Sequence, residues 1–263
     1  MNRLGLILTM ALLGLVLAER GWTAEKEEKA LSGDRIRTEQ GDLVVHPIRH
    51  ATLAMQWNGK TIYVDPVGGA KALAGLPGAD LVLLTDVHGD HLDLPTLEAL
   101  VPAGSRVRIV APKAVAEKLP EGPVRENTTV LGHGAKREVA GIAVEAVPAY
   151  NIAPDRQRFH PKGRGNGYLL HLGGKKVYIA GDTEDIPEML KLSGVDVAFL
   201  PMNLPYTMTV QQAANAVRRF RPKIVYPYHY RNGDGTMADL ELFKKLLGPD
   251  SGVEVRLGKW YPQ

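Results

Sequence analysis

The chain has 263 residues, which is enough to bury a full hydrophobic core and therefore excludes a small stapled scaffold. Its 32 Lys and Arg residues nearly balance 29 acidic residues, so the net charge of +3 gives no strong field toward nucleic acid or a membrane surface. Cysteine is absent, which excludes disulfides and thiolate metal ligands.

The N-terminus predicts an exported protein, periplasmic or secreted. One arginine precedes an uncharged, mainly apolar run from Leu4 to Ala18, which is shorter than the about 20 residues of a transmembrane helix. We interpret residues 1–24 as a signal peptide, so no stable membrane anchor is expected; an uncleaved anchor is the alternative. The polar segment 25–42 has no apolar periodicity and is predicted to be a linker. The folded domain is then predicted to span residues 43–263.

From Leu43 onward, strand-like and helix-like patterns follow one another. The Asn58-Gly59 dipeptide between ATLAMQW and KTIYVDP predicts a hairpin, so the domain opens with antiparallel strands. Strands and helices then alternate, which indicates a mixed sheet. The predicted strands are LVVHPIRH, ATLAMQW, KTIYVDP, ADLVLLT, RVRIVAP, AGIAVEAVPAY, NGYLLHL, KKVYIAGD, VDVAFLP and KIVYPYHY. The predicted helices are LPTLEALV, KAVAEKL, IPEMLKL, VQQAANAVRRF and ADLELFKKLLG. Two similar halves are predicted, each running from a hairpin into strand–helix units.

Ionisable side chains follow the predicted strands at the points where these strands end. Asp65 ends TIYVD, Asp182 ends KVYIAGD, and His229 ends KIVYPYH. Ligands commonly bind at the carboxyl ends of strands, because the loops there are free of ladder pairing while the sheet holds them rigidly. Each of these side chains is able to ligate a metal.

The densest group of such residues is TDVHGDHLD, which follows a predicted strand and precedes a predicted helix. Its ligand-type side chains are Asp86, His88, Asp90 and His91, with the spacing DxHxDH. Gly89 allows a tight turn that aims alternating side chains at one point. Without a metal the close carboxylates repel one another, and a cation reverses that cost. The alternative interpretation is an acidic N-terminal cap of the following helix.

These motifs resemble those of the metallo-β-lactamase superfamily, and specifically its lactonase-like and phosphodiesterase-like branch, which includes L-ascorbate-6-phosphate lactonase-like proteins. The superfamily motif is HxHxDH after a strand, with Asp or His ligands at later strand ends, and TDVHGDHLD matches three of its four ligand positions. The resemblance covers most of the chain from Leu43 to Tyr230. It implies an α/β fold, a four-layer αββα sandwich of two mixed sheets with the helices outside.

The resemblance also implies two metal sites. The implied ligands are Asp86 and His88 for the first site, Asp90, His91 and His229 for the second, and Asp182 as the bridge between them. Asp65 is implied to support the ligand loop by orienting a ligand histidine through a hydrogen bond. The alternative for Asp65 is a strand-terminating residue before Pro66.

Two departures from the superfamily pattern concern the ligands. Asp86 replaces the first histidine of the motif, and this hard oxygen donor favours manganese, iron or magnesium over zinc and predicts a weaker first site. The place where relatives often have a middle histidine reads PAYN, with Asn151. We predict His160 as the missing ligand, with a surface-loop histidine as the alternative. His50, at a strand end, is expected at the rim.

Two divalent cations, zinc foremost with manganese or iron as alternatives, imply hydrolysis. Such ions, about 3.5–4 Å apart, hold a hydroxide and polarise an electrophile, so no serine or thiol nucleophile is required. The resemblance implies that Asp90 is both a ligand and the catalytic base. The predicted function is hydrolysis of a small phosphodiester, lactone or other ester by a metal-bound hydroxide. The alternative is a non-catalytic, exported metal- or ligand-binding module with the same fold.

The residues that would face the substrate are less determined by the sequence. Lys162 and Arg164 are predicted to neutralise a phosphate or carboxylate of an anionic small molecule, and a solvated charged loop is the alternative. Tyr206 and Thr207 are candidate oxyanion donors; the other interpretation is that Thr207 or Thr209 caps the following helix. No nucleic-acid partner is expected at this charge.

Overall fold

The computed structural model describes residues 30–261, and it arranges their strands in two seven-stranded sheets. The strands are β1 (Asp34–Thr38), β2 (Gly41–Arg49), β3 (Thr52–Trp57), β4 (Lys60–Val64), β5 (Leu81–Leu83), β6 (Arg108–Ala111), β7 (Thr128–Val130), β8 (Lys136–Val139), β9 (Ile142–Ala149), β10 (Gly165–Leu172), β11 (Lys175–Ile179), β12 (Val197–Pro201), β13 (Ile224–Tyr228) and β14 (Glu254–Val255). The helices are α1 (Gly69–Ala72), α2 (Leu94–Leu100), α3 (Lys113–Ala116), α4 (Pro123–Glu126), α5 (Pro187–Leu190), α6 (Val210–Phe220) and α7 (Leu240–Leu247).

Both sheets follow the same plan. The first has the order β1-β2-β3-β4-β5-β6-β7, and the second has the order β14-β13-β12-β11-β10-β9-β8. In the first sheet the pairs from β1 to β4 are antiparallel and those from β4 to β7 are parallel. In the second sheet the pairs from β8 to β11 are antiparallel and those from β11 to β14 are parallel. The structure thus confirms the prediction of two similar halves with mixed sheets.

Apolar side chains on both faces of the strands produce the layers. In β4, Ile62 and Val64 pack in the core between the two sheets, whereas Tyr63 packs in the cluster on the outer face. Leu97 of α2 belongs to the outer cluster of the first sheet, and Phe243 of α7 belongs to that of the second. The helices therefore cover the two outer faces, and the predicted four-layer αββα sandwich is confirmed.

The fold begins earlier than the predicted boundary at residue 43. β1 lies within the segment 25–42, which the sequence predicted to be a polar linker, and it pairs with β2 along its whole length. The linker prediction is wrong for this stretch because an edge strand buries few side chains: only Ile36 and Thr38 of β1 are buried. The predicted signal peptide, residues 1–24, lies outside the described residues, as do residues 25–29.

Candidate metal centre

The side chains that were predicted to be metal ligands meet at one edge of the sandwich. The loop after β5 carries Asp86, His88, Asp90 and His91, the loop after β9 carries His160, and the loops after β11 and β13 carry Asp182 and His229. β11 is parallel to β12, which is parallel to β13, so the carboxyl ends of these strands lie at the same edge of the second sheet. The structure thus brings together side chains from distant segments of the chain. Their ligation of a metal stays a prediction.

The potential ligand atoms form two clusters. Asp86, His88 and His160 make up the first cluster, and Asp90, His91 and His229 make up the second, with one ligand atom of each residue within 4.8 Å of the others. Asp182 lies between them. Its Oδ2 atom is 3.3 Å from His91 Nε2 and 3.0 Å from His160 Nε2, and its Oδ1 atom is 3.7 Å from His229 Nε2. This carboxylate is therefore placed as a bridge between the clusters.

A buried carboxylate orients His91. His91 Nδ1 donates to Asp65 Oδ2 at 2.8 Å, and Asp65 also accepts from the backbone nitrogen and the hydroxyl of Thr85, at 2.8 and 2.5 Å. Both Asp65 and His91 are fully buried. Because Nδ1 donates to Asp65, Nε2 is the ring atom that faces the second cluster. Asp65 therefore supports the ligand loop and does more than end a strand.

His160 is oriented by a backbone carbonyl. Its Nδ1 atom lies 3.1 Å from the carbonyl oxygen of Tyr206, which leaves Nε2 facing Asp182. Asn151 instead uses its amide nitrogen to bind the carbonyl oxygens of Tyr206 and Arg156, at 2.7 and 3.0 Å. Of the two candidates for the middle ligand, the structure thus brings His160 into the first cluster, and Asn151 holds the loop.

Glu184 is a residue of the centre that sequence reasoning missed. Its fully buried side chain accepts from the backbone nitrogens of Ile152 and Ala153, at 2.7 and 2.6 Å, and Oε1 lies 2.8 Å from Arg156 Nη1. It thereby ties the loop that carries His160 to the loop after β11. The sequence around Glu184 shows only an acidic residue in GDTE. Its role could not be predicted, because its partners lie about 30 residues earlier in the chain.

His229 has a strained backbone that its neighbours hold in place. His50, Asp65 and His229 all have left-handed φ angles, of 48°, 42° and 46°, which cost roughly 1–2 kcal/mol each for residues with a Cβ atom. The backbone nitrogen of His229 donates to the carbonyl oxygen of His50 at 3.2 Å, and the two rings lie 5.6 Å apart. Strain of this kind clusters at functional sites, and His50 lies next to one of the potential ligands; its place at the rim stays a prediction.

The charge of the centre favours a cation. Burial alone would raise the pKa of Asp182, but His91, His229 and His160 hold it well below the ordinary value. Burial would also raise the pKa of Asp90, but His229, whose Nε2 atom lies 3.1 Å from the carboxylate, and the charge of His91 keep it below the ordinary value. Both groups are therefore carboxylates at neutral pH. Burial would lower the pKa of His91, yet Asp182 and Asp65 raise it well above the usual value, and a field that holds a proton there also stabilises a metal ion.

The donor atoms also fit a divalent cation. The Nε2 atoms of His91, His160 and His229 are buried without a hydrogen-bond partner within the described part of the chain, and so is Asp182 Oδ1. Each buried polar atom left unpaired costs about 1–3 kcal/mol, and folded proteins leave few of them. Imidazole and carboxylate groups are the ligands that zinc, manganese and iron accept. These atoms are therefore the ones that would hold the metal.

A cavity of about 300 Å³ opens above the centre. It is lined by His88, Asp90, Phe159, His160, Asp182, Asn203 and Tyr206. The rings of Phe159 and Tyr206 make an edge-to-face contact at 5.0 Å and form one wall. The side chain of Asp90 is 44% exposed, so it is accessible from the cavity. This volume matches a small-molecule site at the low end of the usual size range.

Two residues that were predicted to face the substrate lie elsewhere. Lys162 is outside the cavity, with Nζ 3.5 Å from Glu188 Oε1 and 4.8 Å from the ring centroid of Tyr150. The hydroxyl of Thr207 is buried and donates to Asn203 Oδ1 at 2.5 Å, so it is not free to donate to an oxyanion. Of the two candidate caps of α6, Thr207 and Thr209, the structure shows Thr209 as the cap. Arg164 does reach the centre, where it contacts Asp86.

Comparisons with known proteins agree with this geometry. The sequence profile of the beta-lactamase superfamily domain matches residues 45–229. A UPF0173 metal-dependent hydrolase of Pyrococcus abyssi is 34% identical over 215 residues, which are 78% of this chain and 92% of that protein. A solved structure from Parabacteroides distasonis, named as a metal-dependent hydrolase, has a TM-score of 0.77 at 41% identity and covers 88% of this chain and 100% of that one. Igni18, a metallo hydrolase of Ignicoccus hospitalis, covers 82% of this chain and 94% of its own at a TM-score of 0.65 and 24% identity, which shows a shared fold.

Proposed function

The chain belongs to the beta-lactamase superfamily, and its relatives are named metal-dependent hydrolases; from this premise we propose that it hydrolyses a small phosphodiester, lactone or other ester. The observation that carries the proposal is the convergence of unpaired imidazole nitrogens on Asp182 beneath a small cavity. A centre that contains cations attracts the negative oxygens of a phosphodiester or of a carboxylate next to a lactone.

We propose two divalent cations as cofactors, with zinc as the resident metal and manganese or iron as alternatives. The two clusters and the intervening Asp182 support two positions. A cation held there would polarise an ester oxygen and would lower the pKa of a bound water to about 7. His91 and His229 would hold it in the second cluster, each through Nε2.

The side chains around the cavity have distinct roles in this proposal. Asp90 is anionic, and its side chain lines the cavity and is partly exposed. It is therefore placed to accept a proton from a group bound within hydrogen-bond distance of it. The wall made by Phe159 and Tyr206 packs against the apolar part of a substrate. Glu184 keeps the His160 loop in place, so that the pocket is preorganised.

The test is hydrolysis by the purified, zinc-loaded protein of a chromogenic bis-phosphodiester, a lactone and a β-lactam. We expect turnover of one of the first two classes and loss of that turnover in Asp182→Ala and His229→Ala. Asp196→Asn is the matched control, because Asp196 is a buried carboxylate that precedes β12 and binds Lys176 and Lys223 at the opposite edge of the sheet. Its activity should equal that of the wild type.

A binding module without turnover is the second candidate. The observation that favours it is the ion pair between Asp86 and Arg164, which engages a ligand position of the first cluster. Tight zinc binding with no hydrolysis of any substrate class would favour this module, whereas metal-dependent turnover that requires His229 would reject it.

We also propose that the protein is exported, with residues 1–24 as a signal peptide, and that its partner is a small molecule and not a nucleic acid. The apolar run from Leu4 to Ala18 supports export. Within residues 30–261, no helix has the length and apolar character needed to cross a bilayer. The test is cell fractionation of the wild type and of Leu12→Arg, which interrupts the apolar run. The wild type should be found outside the cytoplasm, and the variant should be retained inside; equal distributions would contradict the proposal.

A further inference from the structure

We infer that the two clusters bind metal ions with unequal affinity and that Arg164 sets the difference, because it serves as a built-in counter-cation for Asp86 in the first cluster. The inference rests on the proposed function, since it concerns the metal centre of the same site. It goes further by assigning the order in which the clusters fill, the second before the first, to one named side chain.

Arg164 holds Asp86 through two parallel contacts. Arg164 Nε donates to Asp86 Oδ1 and Nη2 donates to Oδ2, each at 2.9 Å, which is the geometry of the strongest guanidinium–carboxylate pairs. The Asp86 side chain is 4% exposed and that of Arg164 is 20% exposed, so water screens the pair weakly. The carbonyl oxygen of Phe159 accepts a further bond from Nη2 and fixes the guanidinium in place.

The Asp86 oxygen that faces the first cluster is already fully engaged. Oδ2 accepts from Arg164 Nη2 and lies 2.8 Å from His88 Nδ1, and a carboxylate oxygen has two lone-pair positions. The other ring nitrogen of His88, Nε2, lies 3.4 Å from the same Nη2 atom. A metal ion that enters the first cluster must therefore displace at least one of these contacts, and it must bind next to a positive charge.

The second cluster has no Lys or Arg counter-cation among residues 30–261. The Nε2 atoms of His91 and His229 have no hydrogen-bond partner in the described chain. Among residues 30–261, the ion pairs of Asp90 and Asp182 are with histidines and not with Lys or Arg. A divalent cation can therefore bind there without competing with a fixed cation.

The pairing also changes what Asp86 contributes. The negative charge of Asp86 and the positive charge of Arg164 cancel, so the pair presents to the first cluster about the same net charge as the neutral histidine that Asp86 replaces. The sequence indicated a hard anionic donor at this position, which would favour manganese or iron. In the structure the anion is neutralised, so the net effect of the substitution is a weaker first site for any divalent ion.

The test is zinc binding by the purified, full-length protein after removal of metal with a chelator. Calorimetric titration with Zn²⁺ gives the affinity of each step, and metal analysis after gel filtration gives the equivalents retained. For the wild type we expect one retained equivalent and a second step at least about tenfold weaker. In Arg164→Ala the second step should strengthen by at least about tenfold, because a unit charge beside the ion has been removed.

Two further variants keep the result interpretable. Arg164→Gln removes the charge but retains a polar side chain. If Arg164→Ala does not fold, the affinity of the second zinc-binding step is measured in Arg164→Gln instead. Arg158→Ala is the matched control, because Arg158 lies 4.7 Å from the ring centroid of Phe159 in the same loop; its binding steps should equal those of the wild type.

Two equal steps in the wild type would overturn the inference, and so would a second step that stays unchanged in a folded Arg164 variant. These outcomes differ from failure of the proposed function. Unequal binding steps governed by Arg164 without hydrolysis of any ester would support the inference and reject the proposed function. Ester hydrolysis with two equal binding steps would support the proposed function and reject the inference.

Discussion

Replacing Asp65 with asparagine tests whether this buried carboxylate fixes the tautomer of His91. Asp65 accepts from His91 Nδ1 and from the Thr85 hydroxyl with Oδ2, and from the Thr85 backbone nitrogen with Oδ1. Asparagine keeps the shape of the side chain and tolerates the left-handed φ of 42° at this position. It replaces one of the two acceptor oxygens with an NH₂ donor, and either orientation of the amide has a cost.

If the NH₂ group faces His91, the imidazole accepts at Nδ1 and carries its proton on Nε2, where it can no longer ligate a metal. If the NH₂ group faces the backbone nitrogen of Thr85, two buried donors oppose each other at a cost of about 1–3 kcal/mol. The first orientation avoids these opposed donors and is therefore expected, so zinc binding should weaken by about 10–100-fold, which corresponds to about 1.4–2.7 kcal/mol. Zinc titration of the chelated protein measures this change.

Asp196→Asn is the matched control for Asp65→Asn. Asp196 is also a buried carboxylate that accepts from a backbone nitrogen and a side chain, but its donors are Lys176 and Lys223, away from the metal centre. Its replacement should lower stability without changing zinc affinity. An Asp65→Asn variant with wild-type zinc affinity, or an equal loss in both variants, would refute the reasoning.

Three further predictions concern stability. Glu184→Ala leaves two buried backbone donors unpaired and removes the carboxylate beside the Arg156 guanidinium, so urea denaturation should show a loss of about 3–5 kcal/mol; a loss below about 1 kcal/mol would contradict this role. Gly181→Ala should lower the melting temperature more than Gly41→Ala, because both have left-handed φ angles but only at Gly181 would a Cβ atom lie 2.8 Å from a carbonyl oxygen; equal shifts would contradict the steric argument. Burial would raise the pKa of Asp196, but the hydrogen bonds from Lys223 and the Lys176 backbone and the charges of Lys223 and Lys175 together outweigh it and hold the pKa below the ordinary value. This carboxylate therefore adds stability above about pH 4 that is lost as the pH falls further. The stability difference between the wild type and Asp196→Asn should therefore shrink below about pH 4 in urea titrations, and a constant difference would contradict it.

The strands that could not be predicted from the sequence share a position in the fold. β1, β7, β8 and β14 are the outermost strands of the two sheets. They have two to five residues and bury few of them, so they lack the apolar runs by which the inner strands were predicted. An inner strand is covered on both faces and must be apolar nearly throughout, whereas an edge strand gains its order from pairing with one neighbour.

A similar distinction applies to the metal centre. Asp182 and His229 could be predicted because each directly follows an apolar strand, and position relative to a strand end is a local property of the sequence. The pairing of Arg164 with Asp86 could not be predicted, because 78 residues separate the two and nothing near either one specifies the other. For the same reason the sequence suggested that Lys162 and Arg164 act together, although only Arg164 reaches the centre.

The origin of the ligands predicts how metal removal affects the fold. In the second cluster, Asp90 and His91 follow a strand of the first sheet and His229 follows a strand of the second, so a bound cation joins the two halves. A ligand at 1,000 times its dissociation constant stabilises the folded state by about 4 kcal/mol if the unfolded chain does not bind it. Chelation should therefore lower the melting temperature of the wild type in calorimetry, and His229→Ala should lose most of this response while Arg158→Ala keeps it. If chelation leaves the wild-type melting temperature unchanged, the cation does not hold the two sheets together.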